Sequence, residues 1–191
     1  MTKDGTVLIV DDEEAVANTY SEALDDQYIV HTTYSGEQAL ETMDSTVDVV
    51  LLDRRMPGMS GDEVLEQMRT RDHDFRVVMV TGVEPGLDII AMEFDEYLVK
   101  PVTADQLQAV TKRMLARKEL IAQIEQMVSL ASRLATLESK LDYEQLRESE
   151  EYDELRAEYD DLRENVTLPA GNKDPYLDAT LEKLEALLDQ R

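Results

Sequence analysis

Four short apolar runs in this chain end in residues that could share one chemistry. Asp11 and Asp12 follow Thr6 to Val10, Asp53 follows Val47 to Leu52, Thr81 follows Arg76 to Val80, and Lys100 follows Tyr97 to Val99. In a parallel α/β sheet, ligands bind outside the carboxyl ends of the strands, so this spacing predicts an acidic pocket holding one ammonium and one hydroxyl. Three clustered carboxylates repel one another and stay ionised only beside a cation, which predicts a hard divalent metal, with Mg²⁺ the natural occupant. A carboxylate can itself attack a phosphoryl group to give an aspartyl phosphate. Asp53, alone at the end of the central strand, is the candidate nucleophile. The transferring group spreads its charge over its oxygens, and Mg²⁺, Lys100 and the Thr81 hydroxyl would supply the positive charge and the donor that oppose it.

The elements that must hold these groups are legible up to Pro101, where strand signals alternate with helix signals as in repeated βα units. Five parallel strands are expected, and the nearly continuous apolar runs at Val47 to Leu52 and Val77 to Val80 call for helices on both faces of the sheet. Helix starts are marked by Glu13 behind the acidic pair and by Ser35 to Gln38, Ser60 to Glu63 and Thr103 to Gln106, each with the spacing of a capping box. The last of these opens a fifth helix with Leu107, Val110 and Met114 on its inner face.

After Pro101 no glycine or proline occurs until Pro169, and strong helix formers dominate. Met127, Leu130, Leu134, Leu137 and Leu141 form one apolar series, Tyr152, Leu155, Tyr159, Leu162 and Val166 a second, with the polar stretch Arg147 to Glu151 between them. Such periodicity predicts a coiled coil or a helical hairpin. One unbroken helix from Thr103 to Val166 would run about 96 Å at 1.5 Å per residue. The absence of a glycine or proline turn favours that helix paired with a second copy over one folded back. Beyond the breakers Pro169, Gly171 and Asn172, Asp174 and Pro175 start a last helix with Leu177, Leu181, Leu184 and Leu188 on one face.

Charge bounds the function classes. The 43 acidic residues against 19 basic ones leave 24 net negative charges over 191 residues, shared by both halves of the chain. Self-repulsion on that scale is relieved when molar salt shortens the Debye length to about 3 Å, so the composition fits a protein of a salt-loving organism and not a basic nucleic-acid footprint. With no cysteine there is no disulfide framework or thiolate site, and His31 and His73 lack metal-ligand spacing. No leader-like amino terminus and no apolar run of membrane-spanning length occur, so a cytoplasmic protein without membrane contact is expected.

Residues 1–117 resemble the receiver domain of two-component response regulators. The resemblance is carried by Val7-Leu8-Ile9-Val10-Asp11-Asp12-Glu13, by Leu51-Leu52-Asp53-Arg54-Arg55-Met56-Pro57-Gly58-Met59-Ser60-Gly61, by Val80-Thr81-Gly82 and by Tyr97-Leu98-Val99-Lys100-Pro101. It implies a five-stranded doubly wound, flavodoxin-like α/β domain in which Asp53 accepts phosphate from a sensor histidine kinase. Mg²⁺ would be held by Asp12, Asp53 and the backbone carbonyl of Arg55, with Asp11 acting behind these ligands. Thr81 and Tyr97 match the two switch positions, Lys100 would pair with the phosphate, and Lys100-Pro101 falls where the family often has a cis peptide. The stretch from Thr81 to Lys100 is a few residues shorter than in typical receivers and Phe94 stands where a small residue is usual, so a short or irregular fourth helix is expected. Residues 118–191 resemble the HalX domain found behind receivers in haloarchaea.

These readings imply a stoichiometric phosphoacceptor, not a turnover enzyme, since no further acid or base accompanies Asp53. The helical region would pass the switch to a protein partner or to a second copy. The alternative is a transcriptional regulator whose carboxyl-terminal region contacts DNA. Charge speaks against it, because Arg133, Lys140, Arg147, Arg156 and Arg163 are interleaved with excess acid and no helix-turn-helix pattern is present.

Overall fold

The computed structural model describes residues 3–71 and 73–165. The chain divides into two compact units, Met1–Lys118 and Glu119–Arg191. The last expected helix, Leu177 to Leu188, and the end of the second apolar series at Val166 lie outside the described residues.

In the first unit β1 (Thr6–Val10), β2 (Ile29–Thr33), β3 (Val49–Leu52), β4 (Arg76–Thr81) and β5 (Glu96–Val99) form one parallel sheet in the order β2-β1-β3-β4-β5. β1 and β3 are buried along their whole length, as their unbroken apolar sequences require. Successive strand side chains point to opposite faces, so the two faces carry separate cores. Leu8, Val10, Val50, Leu52, Val77 and Met79 pack with Ala39 of α2 (Gly36–Thr42) and with Val64, Leu65 and Met68 of α3 (Gly61–Arg69). Val7, Ile9, Val49, Leu51, Val78 and Val80 pack with Ala17, Tyr20 and Leu24 of α1 (Glu14–Leu24) and with Leu107, Val110 and Met114 from the first turns of α4 (Ala104–Lys140).

Local capping follows the sequence. Ser60 and Glu63 form a reciprocal capping box at α3, and Thr103 and Gln106 exchange the same pair of bonds at α4. At α2 the Ser35 hydroxyl accepts from the Gln38 N–H, while the Gln38 side chain reaches back to the N–H of Tyr34 and not to that of Ser35. Between β4 and β5 the short segment forms a single 3-10 turn, Leu87–Ala91, in place of a full α-helix. The helix after β5 is therefore the fourth α-helix and not the fifth.

In the second unit the carboxyl region is not one continuous helix. The α4 helix stops at Lys140, a five-residue α5 (Tyr143–Arg147) follows, and α6 (Glu150–Asn165) completes the turn. Met127, Leu130 and Leu134 of α4 are buried against Leu155 and Tyr159 of α6. The helices run antiparallel, with Gln126 bonded to Glu158 at 2.8 Å and Glu138 bonded to Tyr152 at 2.8 Å and to Arg156 at 3.0 Å. The two apolar series thus cover each other within one chain, which corrects the expectation of a single long helix seeking a second copy. The turn signal is Asp142, whose carboxylate accepts from the Gln145 N–H while the Gln145 side chain accepts from the Asp142 N–H. Leu141, expected on the seam, is exposed at this break.

Candidate functional site

Strand register brings the polar residues to one crest. Val10 pairs with Leu52 and Thr81 with Val99, so the residues that follow β1, β3 and β5 leave the sheet beside the end of β4. The Asp53 N–H donates to the Val10 carbonyl at 2.8 Å, and the Lys100 N–H donates to the Thr81 carbonyl at 2.9 Å. One oxygen from each of Asp11, Asp12 and Asp53 lies within 4.8 Å of the others. Asp11 and Asp53 are buried, whereas Asp12 is half-buried.

Lys100 reaches this cluster from the far side of the sheet. Its Nζ lies 2.7 Å from Asp11 Oδ2 and 3.0 Å from Asp53 Oδ2. Burial pushes the Asp11 carboxyl above its ordinary pKa, against the opposing pull of Lys100 and of the Glu13 N–H. Burial alone would lower Lys100, but its hydrogen bonds and charge pairing with Asp11 and Asp53 outweigh that, and its pKa is raised. One ammonium set against three carboxylates leaves a surplus of negative charge at the crest. An all-oxygen donor set of this kind fits a hard divalent cation, and it is the acidic cluster typical of receiver Mg²⁺ sites.

Thr81 is fully buried at the end of β4, and its hydroxyl accepts from the Val83 N–H at 3.4 Å instead of reaching the carboxylates. The Tyr97 hydroxyl donates to the Val83 carbonyl at 2.8 Å, and its ring packs against Phe94 with centroids 5.6 Å apart. The structure thus joins Thr81 and Tyr97 through Val83 and not directly to Asp53. Arg55 is exposed, and its backbone N–H approaches Asp53 Oδ1 at 3.4 Å. The Lys100–Pro101 peptide is cis.

Two further residues shape the site. Gly61 opens α3 so close to the acceptor loop that a Cβ there would lie 2.1 Å from the Asp53 carbonyl oxygen. Arg54, next to Asp53, is bidentate to Asp62 through Nε at 2.9 Å and Nη2 at 3.0 Å, and Nη2 also pairs with Asp88. Sequence reasoning passed over Arg54 because its partners stand 8 and 34 residues away, with no periodicity to connect them.

A five-stranded parallel sheet in this order defines the doubly wound, flavodoxin-like class, whose ligands bind outside the carboxyl ends of the strands, where this acidic crest and Lys100 lie. Residues 7–112 match the response regulator receiver domain and residues 116–190 match the HalX domain. The chain belongs to the response regulator receiver family, with its receiver fused to a HalX domain. The fold of residues 7–112 matches the non-catalytic receiver-domain superfamily. A Haloferax volcanii protein named as a candidate transcriptional regulator is 42% identical over 184 residues, covering 96% of this chain and 31% of that protein. The alginate biosynthesis transcriptional regulatory protein AlgB of Pseudomonas syringae pv. tomato is 39% identical over 126 residues, covering 63% of this chain and 28% of AlgB. The chain therefore spans under a third of either relative's length. A crystal structure of a response regulator receiver domain protein from Clostridium thermocellum superimposes with a TM-score of 0.55 at 32% identity, covering 61% of this chain and 98% of that one. No helix among the described residues is long and apolar enough to cross a membrane.

Proposed function

We propose that this chain is a phosphorylation-switched transcriptional regulator, with residues 1–117 as its phosphoacceptor domain and residues 118–191 as its output region, acting in the cytoplasm. An Asp53 carboxylate oxygen attacks the phosphorus of a phosphohistidine on a sensor kinase, the P–N bond breaks, and its electron pair returns to the imidazole. Asp12, Asp53 and the backbone carbonyl of Arg55 would hold Mg²⁺, with Asp11 behind them; the cation would neutralise charge on the phosphoryl oxygens. Lys100, now shared by Asp11 and Asp53, then pairs with the phosphate, while the Thr81 hydroxyl leaves Val83 for a phosphoryl oxygen and Tyr97 turns behind it. The observation that carries this reading is the ammonium placed on both carboxylates at one crest.

Transcriptional output is supported by the names of the relatives, including the one that aligns along nearly the whole chain. DNA contact by the carboxyl region is the direct route to it. The second route, contact with a protein of the transcription apparatus, is favoured by charge, since residues 119–165 carry 14 acidic and 5 basic side chains. A homodimer through the carboxyl helices would have to use faces other than the seam that already joins Met127 and Leu134 to Leu155. The test is Mg²⁺-dependent incorporation of phosphate from acetyl phosphate into the full chain but not into Asp53→Asn, followed by fluorescence anisotropy of promoter DNA in molar KCl with each form. Labelling of Asp53→Asn equal to the parent contradicts the acceptor assignment. Labelling of the parent with no change in DNA affinity favours the protein-contact route.

A further inference from the structure

Between β4 and β5, residues 92–95 are anchored by Met92 and Phe94 on the core and by Arg69 on the Glu93 carbonyl and Asp95, but residues 84–91 have little to hold them. Leu87 and Ile90 are 87% and 77% exposed, so they add no apolar burial, and the hydrogen bonds from the Ile89 and Met92 N–H groups stay inside the segment. Among the described hydrogen bonds of residues 84–91, the Arg54–Asp88 pair is the one that reaches another element. Arg54 itself is firmly placed, with a side chain only 11% exposed and a bidentate grip on Asp62 in the first turn of α3. The Tyr97 hydroxyl separately holds the Val83 carbonyl at the start of the segment.

We propose that Arg54 is a positioning residue that clasps residues 84–91 between β4 and β5 in their resting arrangement, so that opening of the Arg54–Asp88 pair is the step that frees them after Asp53 is phosphorylated. A planar guanidinium suits the role because its fork can serve two carboxylates at once, which a lysine ammonium on a flexible stem does not do in fixed geometry. Asp88 is the releasable partner. Its side chain is 55% exposed and meets one nitrogen, whereas Asp62 meets two. The link to phosphorylation rests on the acceptor reading of Asp53; the resting clasp does not.

The chain has no cysteine, so Ile90→Cys offers a single attachment point for a nitroxide on the full-length protein. Electron paramagnetic resonance in molar KCl, without phosphoryl donor, compares this protein with the same protein carrying Asp88→Asn or Arg54→Gln. Asp88→Asn is expected to raise the ratio of mobile to immobile label about threefold, the scale set by an ion pair with one exposed partner. Arg54→Gln should do at least as much, and adding Asp88→Asn to it should change nothing further. Identical spectra for the labelled parent and its Asp88→Asn variant overturn the clasp. With acetyl phosphate and Mg²⁺, labelled parent protein should move to the Asp88→Asn spectrum, and confirmed phosphorylation with an unmoved spectrum overturns the proposed coupling. Failure of Asp53 to take phosphate at all is read separately, by mass, and refutes the acceptor reading.

Discussion

Removing the Lys100 ammonium should destabilise the first unit by an amount that divalent cation returns. At an effective dielectric near 20, opposite unit charges at the observed 2.7 and 3.0 Å attract by about 6 kcal/mol each. Desolvation of the three groups offsets most of that attraction. What Lys100→Ala loses is nearer the cost of leaving a buried charge without its partner, about 3–5 kcal/mol. The Lys100 side chain keeps 16% of its exposure and the half-buried Asp12 opens the crest to water, which places the loss at the lower end, about 3 kcal/mol. Urea denaturation in molar KCl, followed by circular dichroism with and without millimolar Mg²⁺, measures it. A large deficit is expected without Mg²⁺ and a much smaller one with it, because the cation takes over the neutralisation of Asp11 and Asp53. A variant as stable as the parent without Mg²⁺, or a deficit that Mg²⁺ leaves unchanged, refutes it.

Asp11→Asn should act in the opposite direction. Burial raises the Asp11 pKa in the fold, so its charge costs stability above that raised value and the cost lifts as pH falls through it. The variant should gain about 0.5–2 kcal/mol at neutral pH without Mg²⁺ and should lose the parent's stabilisation on mild acidification. Equal denaturation midpoints across that pH range count against the charge argument. Gly61→Ala drives a methyl against the Asp53 carbonyl and should cost at least about 1–3 kcal/mol, with slower phosphate incorporation, since the acceptor loop must move; unchanged stability and labelling would show that the loop yields freely. Leu134→Ala removes a side chain that is 1% exposed and should cost about 2–5 kcal/mol in the unfolding of the carboxyl unit while leaving the sedimentation mass unchanged. A concentration-dependent drop in mass would restore the pairing of this seam between two copies.

The sheet and the crest were legible because buried strands advertise themselves as unbroken apolar runs, and each run ends where a charged or hydroxyl side chain can point into the crevice. Ser60 and Glu63 marked α3 for a similar local reason, the reciprocal bonds of a capping box. The shortness of the Thr81 to Lys100 stretch foretold the lone 3-10 turn. The fold-back of the carboxyl region carries no glycine or proline signal, because Asp142 and Gln145 make the turn with side chains in a run of helix formers. Arg54 escaped for a different reason. Its meaning lies in Asp62 and Asp88, which only the folded chain brings around it.

Asp53, and no other carboxylate of the acidic crest, is proposed to carry the phosphoryl group. Full-length protein treated with acetyl phosphate and Mg²⁺ in molar KCl can be trapped with borohydride, which reduces an acyl phosphate to the alcohol, and the converted residue located by peptide mass spectrometry. Conversion is expected at Asp53 alone, dependent on Mg²⁺. Conversion at Asp11 or Asp12, or no conversion in protein shown to be folded, contradicts it.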